Sequence, residues 1–465
     1  MTIPSQVKRH FLLGPSLVVT AIVLVAALSY RLVQGRLEEF AASFYGSTQS
    51  GLYPYLAARV VGYRTFLWVL LVLLGAWCLT LWADPNRNRR EPPVAARLPT
   101  PLPWKLFFVV FLVVLGTLAV LLSQREWVRF GRPCWDNYCV YSELISASLR
   151  HPSSETWGPL HAFMLRDYHS NSPLVPLLVA GTNLMSGLEI IRSYRGLCAV
   201  ATMLGLFVLF QFLRRWLSLS FGTAATIIVL LLSNIAVIRC SCFPQTDAFI
   251  FLWIILCLTR SLVFMERPTP PNAVACFVLV TAGLFIKLSF LPVLAMIPLW
   301  TALETGFIGK SVSREAKRTL LRRIAIFVVS PLVVYLAYQK AFGLFRMYGR
   351  EFGRMQTDDA FAPFHVISIV QVGAILLPLI AIGARRLTKA DTWILAWTAL
   401  YVLSLWAGRT SGWDRFYLAI LPPLAIVSRH GLQVIKERLS LTTAAIGVAL
   451  YAAANYCALL LNLYQ

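Results

Sequence analysis

Residues able to do polar chemistry are scarce in this chain, and the largest group lies between Arg132 and Ser186. It opens with Cys134-Trp135-Asp136-Asn137-Tyr138-Cys139 and continues to Glu143. It closes with Arg166-Asp167-Tyr168-His169-Ser170-Asn171-Ser172-Pro173-Leu174. A carboxylate held in such a place can take a proton from a hydroxyl as a general base, and Asp136, Glu143 and Asp167 are the candidates. Farther along, Asp247 and Lys287 fall at the ends of apolar runs, and Arg409, Asp414 and Arg415 follow Trp406. Ionisable groups there are costly unless they pair, reach water or serve a function, and a guanidinium can grip phosphate oxygens with two hydrogen bonds. Plainer readings stand beside these. Asp136 fits a solvated loop acid, and Asp167 and His169 fit caps of a helix starting near Pro173. Asp247 and Lys287 fit snorkelling to an interface, and Arg409 an interfacial anchor. A metal site from His161, Asp167 and His169 lacks a specific spacing, and neither metal nor cofactor is expected.

The elements that must position these residues are membrane helices. The chain has 465 residues, 58% of them hydrophobic and only 13% charged. Apolar runs of spanning length recur at 11–29, 62–83, 106–123, 195–213, 220–238, 246–264, 271–287, 289–303, 324–342, 363–384, 391–407, 414–428 and 441–461, about thirteen in all. The expected fold is therefore all-α, a polytopic transmembrane helical bundle.

The net charge of +22 is spread in a way that argues against a nucleic-acid partner. Basic residues gather in alternate loops: Arg87 to Arg97, Arg214 and Arg215, Lys310 to Arg323, Arg385 to Lys389, and Arg429 to Arg438. This positive-inside pattern places those loops in the cytoplasm, against anionic lipid headgroups. Residues 124–192, Asp247, Lys287 and 408–415 then fall on the opposite, external face. A second group there, Arg346, Tyr348, Arg350, Glu351, Arg354, Asp358 and Asp359, departs from the pattern and fits an acceptor cleft or an ordinary interfacial loop.

Residues 1–83 read as added N-terminal transmembrane segments, the first a retained anchor rather than a cleaved signal. A Pro- and Arg-rich cytoplasmic linker follows at 84–105. A core at 106–303 carries the external loop 124–192, and C-terminal helices fill 304–465. Cys134, Cys139, Cys240 and Cys242 all fall outside, where disulfides are chemically allowed; Cys78, Cys257 and Cys457 read as packing residues.

The external loop resembles that of the GT-C membrane glycosyltransferases, in particular the protein O-mannosyltransferase and lipid A aminoarabinose transferase family. There the loop runs approximately Asp-Glu-x-x-Tyr and later His-Pro-Pro-Leu. Here Asp136 with Tyr138, and His169 with Ser172-Pro173-Leu174, are degenerate versions. Arg192-Ser193-Tyr194-Arg195-Gly196, Thr246-Asp247-Ala248, Gly283-Leu284-Phe285-Ile286-Lys287 and Asp414-Arg415-Phe416-Tyr417 before Pro422-Pro423 resemble successive later landmarks, over about 106–430. Two departures stand out: Asn137 replaces the second acid, and the second proline is displaced to Pro176.

The resemblance implies a GT-C-like bundle with 172–186 as a short juxtamembrane helix, and an enzyme moving a sugar from a polyprenyl-phosphate donor to a hydroxyl of a glycan, glycolipid or protein. The active site would face the periplasm or exterior of an inner membrane. It makes Asp136 the general base, with Glu143 or Asp167 sharing the work. Tyr138, Tyr168, His169, Asp247, Lys287, Arg409, Arg415 and Tyr417 become substrate-binding residues. Phosphate is already a good leaving group, so direct displacement with inversion needs no separate acid. A lipid or solute transporter is the main alternative, although no paired inverted halves are evident.

Overall fold

Regular hydrogen bonding along an apolar chain leaves the backbone little choice but helix, since each N–H and C=O must be satisfied within the segment. The computed structural model describes residues 138–167, 172–242, 244–305, 313–344, 368–369, 372–373, 375–407 and 414–437. Among them the regular structure is helical throughout. The apolar runs 11–29, 62–83, 106–123 and 441–461, the linker 84–105, and Asp136, Tyr168, His169 and Arg409 lie outside the described residues. The expected total of thirteen spans rests partly on those runs.

Three short helices come first: α1 (Tyr138–Arg150), α2 (Ser154–Arg166) and α3 (Leu174–Ser186), each of 13 residues. None is long enough to cross a bilayer, which takes about 20 residues. Tyr138, Tyr141, Ser142, Ile145 and Ser146 are the buried face of α1, at the three- and four-residue spacing of an amphipathic helix. Asn183 of α3 ties the group together. It accepts from Ser146 Oγ at 2.5 Å and Arg150 Nη2 at 2.9 Å, while its Nδ2 donates to the Leu188 carbonyl at 2.5 Å. Gly187, with φ 70°, ends α3 in the left-handed conformation that glycine adopts without strain.

The body follows as α4 (Ile190–Arg215), α5 (Phe221–Leu232), α6 (Ile235–Cys242), α7 (Asp247–Glu266), α8 (Pro270–Leu284), a 3-10 segment at Leu288–Ala295, and α9 (Met296–Glu304). Next are α10 (Arg314–Ile324) and α11 (Ser330–Ala341), joined by a π turn at Ala325–Val329, then α12 (Leu376–Gly383) and α13 (Lys389–Ala407). A 3-10 turn at Asp414–Ile420 leads into α14 (Leu421–Lys436). Four stretches are long and apolar enough to cross a membrane: Ile190–Arg215, Asp247–Glu266, Arg314–Ala341 and Phe416–Lys436. The chain is a membrane protein with broken as well as continuous apolar helices.

The breaks have local causes. The expected span 220–238 is interrupted at Ser233-Asn234, where Asn234 Oδ1 accepts from the Ala236 N–H at 3.0 Å and starts α6. Its Nδ2 donates to the Val372 carbonyl at 2.9 Å, tying the break to a segment 138 residues farther along the chain. Pro292 lies inside the 3-10 segment of the expected span 289–303. There the indoles of α13 brace the segment, Trp397 Nε1 donating to the Pro292 carbonyl at 2.9 Å and Trp393 Nε1 to the Met296 carbonyl at 2.8 Å.

Helices α12 and α14 approach until backbone meets backbone. A Cβ on Gly431 would overlap the Leu379 carbonyl, and one on Gly383 would lie 2.5 Å from the Gly431 nitrogen. Neither carbonyl nor amide can move aside as a flexible side chain would. Gly431→Ala is therefore expected to destabilise by about 3 kcal/mol. Gly158→Ala, which meets nothing within 4 Å, should be neutral or slightly stabilising because alanine favours helix. Equal thermal unfolding of the two variants in detergent would show that the α12–α14 contact is looser than described.

Candidate functional site

Helix α7 begins at Asp247, whose carboxylate sits in the first helical turn where the unsatisfied amides favour a negative charge. The residue is 1% exposed. Helix α8 ends nearby, and the Phe290 ring occupies the space a Cβ on Gly283 would need. The bare glycine thus lets the chain fold back through Phe285 and Ile286 to Lys287, which is extended at φ −166° before the 3-10 segment.

Lys287 Nζ donates to Asp247 Oδ1 at 3.1 Å, and the ammonium stands 4.9 Å from the centre of the Phe416 ring. The carboxylate side chain is 1% exposed and the ammonium side chain 18%, so the positive end of the pair is the accessible one. Phe416 is held from behind: Tyr401 Oη donates to its carbonyl at 3.1 Å, and the adjacent Tyr417 Oη accepts from Trp406 Nε1 at 3.1 Å. Beside the pair, Thr246 Oγ1 is buried with no hydrogen-bond partner among the described residues. Together these make an anion-attracting ammonium on an aromatic floor, backed by a buried counter-charge.

The described end of the 124–192 segment reaches this place. The Leu174 N–H at the start of α3 donates to the Phe285 carbonyl at 3.0 Å, two residues before Lys287. At the other described edge, Tyr138 is buried at the start of α1. Tyr141, packed against the Phe163 ring at 5.3 Å between centroids, has its hydroxyl pKa pushed up to about 12 by burial, with a hydrogen bond to Tyr338 acting the other way.

The sequence-derived residues divide clearly. Asp247, Lys287 and Tyr417 gather with Phe416 on one side of the bundle, and Tyr417 is fully buried. Arg415 precedes Phe416 on the same 3-10 turn. The pairing of Asp247 with Lys287 replaces snorkelling as the account of both charges. Glu143 is exposed, on the face of α1 away from its buried residues. Asp167 ends α2, its N–H donating to the Phe163 carbonyl at 2.9 Å, while Pro173 takes the N-cap position of α3. Asp167 therefore does not cap the later helix. Cys240, one of the four cysteines for which pairing was open, is a buried thiol whose Sγ donates to the Val237 carbonyl at 3.2 Å.

Sequence reasoning missed Tyr401, which carries no charge and no motif, and placed Phe416 in a landmark without giving it a part in the site. It also missed a buried network at the other end of the bundle. Asp391, fully buried on α13, pairs with Arg429 Nη1 at 2.6 Å, lies 2.9 Å from His430 Nε2, and accepts from the Thr388 N–H and hydroxyl at 2.9 and 2.7 Å. Arg429 is thus 7% exposed within α14 rather than a loop residue facing lipid. Thr388 followed three residues later by Asp391 is a helix-start pattern that signalled part of this network.

These helices form an all-α membrane protein, and its fold is GT-C-like by its likeness to solved structures. Among solved structures, the chain is similar to ArnT from Cupriavidus metallidurans bound to undecaprenyl phosphate, at 18% identity and TM-score 0.50, covering 74% of this chain and 62% of that chain. It is similar to apo ArnT from the same organism at 17% identity and TM-score 0.52, covering 74% and 61%. The archaeal oligosaccharyltransferase AglB from Archaeoglobus fulgidus, in complex with an inhibitory peptide and a dolichol-phosphate, aligns over 78% of this chain and 56% of that chain at 13% identity and TM-score 0.47. No family model and no curated protein matches the chain. The chain spans about six-tenths of the length of the ArnT structures.

Proposed function

We propose that this protein is an integral membrane glycosyltransferase that moves a sugar from a polyprenyl-phosphate donor to a hydroxyl of a glycan, glycolipid or protein. The observation that carries the reading is the Asp247–Lys287 pair, held at 3.1 Å with its ammonium toward the open side, in a fold shared with a protein solved bound to undecaprenyl phosphate. Lys287 and Arg415, with Arg409, supply positive charge for the donor phosphate, and the Thr246 hydroxyl is a further donor for a phosphate oxygen. Asp136, two residues before the buried Tyr138, takes the acceptor's proton as its oxygen attacks the anomeric carbon. The bond from that carbon to the phosphate oxygen breaks with inversion, and the polyprenyl phosphate leaves with the electron pair. Tyr138, Tyr168 and His169 line the acceptor side, and Glu143 and Asp167 are the alternative bases. Tyr417 keeps Trp406 in place.

Transfer is tested with the purified full-length chain in nanodiscs, a panel of radiolabelled polyprenyl-phosphate sugars and membrane extracts. Label moving onto an acceptor supports the reading and names both substrates. Labelled lipid crossing the bilayer without sugar transfer would replace the enzyme with a transporter.

Orientation follows from the basic loops: residues 124–192 and 408–414 are placed outside, 84–105 and 304–323 in the cytoplasm. In a cysteine-depleted background, Ser153→Cys should react with an impermeant maleimide added outside, and Ser311→Cys only after permeabilisation. Equal labelling of the two from outside would reverse the assignment.

A further inference from the structure

A second feature lies on α7, thirteen residues beyond Asp247, or about 20 Å along the helix axis. Arg260 is exposed in the middle of an otherwise apolar surface, and among the described residues no carboxylate pairs with it. Arg260 lines an open, almost wholly apolar groove of about 790 Å³ between α7 and α8. Leu256 and Arg260 stand one turn apart on one wall, and Pro270, Val274 and Val278 follow at four-residue intervals on the other. The trough therefore runs along two helical turns, about 12 Å. Trp253 Nε1 donates to the Leu279 carbonyl at 2.9 Å and ties the two walls together near its far end.

The near end opens where the basic residues collect. Arg215 ends α4, Arg267 follows α7 with its guanidinium over the Trp216 ring, and Arg323 donates to Thr301. Helix α8 starts with two prolines, which have no N–H to offer an anion, so Arg260 carries the charge among the residues that line the groove. Val274 and Val278 are 61% and 53% exposed, presenting methyl groups suited to a hydrocarbon chain and to no polar ligand. A lone cation in hydrocarbon is costly unless an anion accompanies it.

We propose that this groove binds an anionic phospholipid of the leaflet at the basic end of the bundle, its phosphodiester on Arg260 and one acyl chain along the trough between α7 and α8. The two-chain phospholipid is separate from the sugar donor proposed for the Asp247–Lys287 site, because the length of α7 divides the two places. The inference needs the membrane setting alone and stands whether or not sugar transfer is found.

Native mass spectrometry of the full-length chain, delipidated and then exposed to phosphatidylglycerol or phosphatidylcholine of the same acyl composition, tests it. The unsubstituted protein should retain phosphatidylglycerol about tenfold better, the difference a charge-assisted bond makes. Arg260→Gln should abolish the preference, and Val274→Trp, which fills the trough, should lower retention of both lipids. Equal retention by the unsubstituted chain would overturn the proposal without any variant having to fold. Competition by undecaprenyl phosphate for the retained phosphatidylglycerol would assign the groove to the donor instead. Cross-linking of a Val278→Cys variant to cysteines placed in residues 1–137 or 438–465 would show that the chain covers its own groove, and would likewise overturn it.

Discussion

Asp136→Asn is expected to lower sugar transfer by about 10²–10⁴-fold while the protein stays folded and still binds its lipid donor. The amide keeps the size and most of the hydrogen bonding of the acid but cannot take a proton from the acceptor hydroxyl. The neighbouring position already holds Asn137, so no second carboxylate stands beside it in the chain. Glu143→Gln and Asp167→Asn serve as parallel variants. Glu143 lies on the exposed face of α1 and Asp167 closes α2, so both should keep most of the turnover. Single-turnover kinetics with donor already bound separate chemistry from binding. Near-full activity in Asp136→Asn with loss in one of the others would move the base within the loop. Activity in all three would remove the mechanism.

Lys287→Ala should weaken donor binding and destabilise the protein at the same time. From sequence alone, this substitution is expected to act on the donor more than on the fold; the ion pair changes that expectation. Asp247 is 1% exposed, and removing its partner leaves a buried charge uncompensated, at a cost of about 3–5 kcal/mol. With Lys287 itself 18% exposed, the lower end of that range applies. Asp247→Asn/Lys287→Met removes both charges and should recover most of the thermal stability, yet donor affinity should stay low because the accessible ammonium is gone. The coupling energy from this cycle reports the pair. If the double variant regains donor binding along with stability, Lys287 is a structural partner of Asp247 and the phosphate is held elsewhere. Arg415→Ala is the companion test, expected to weaken donor binding.

Much of the bundle was legible because helix is what an apolar chain must form in lipid, and apolar runs announce it. The runs at 195–213, 246–264 and 391–407 correspond to Ile190–Arg215, Asp247–Glu266 and Lys389–Ala407, within a few residues at each end. The short helix beginning near Pro173 was equally readable, being bounded by a proline and by Gly187. Helix α2 was not anticipated: its sequence buries only Leu160 and Met164, too few to mark an apolar face. The breaks at Asn234 and Pro292 were also hidden inside windows of high hydropathy. A window sums side chains and does not register where a carbonyl must find a new donor.

Charge placement shows the same division. The sequence by itself determined that this is a helical membrane protein, that its polar chemistry is confined to few positions, and that Asp247 and Lys287 are costly charges in need of a reason. Only the tertiary structure decided what the reason is. Residues 40 apart in the chain meet at 3.1 Å because α8 turns back at Gly283 and places Lys287 against the first turn of α7. Arg429 illustrates the converse: composition groups it with lipid-facing basic residues, but the close approach of α12 and α14 at Gly383 and Gly431 belongs to a packed region in which it is enclosed with Asp391. Hydropathy and charge are properties of single residues and can be read along a line. Pairing depends on which helix ends coincide in space, and that is fixed by side-chain packing between segments far apart in sequence.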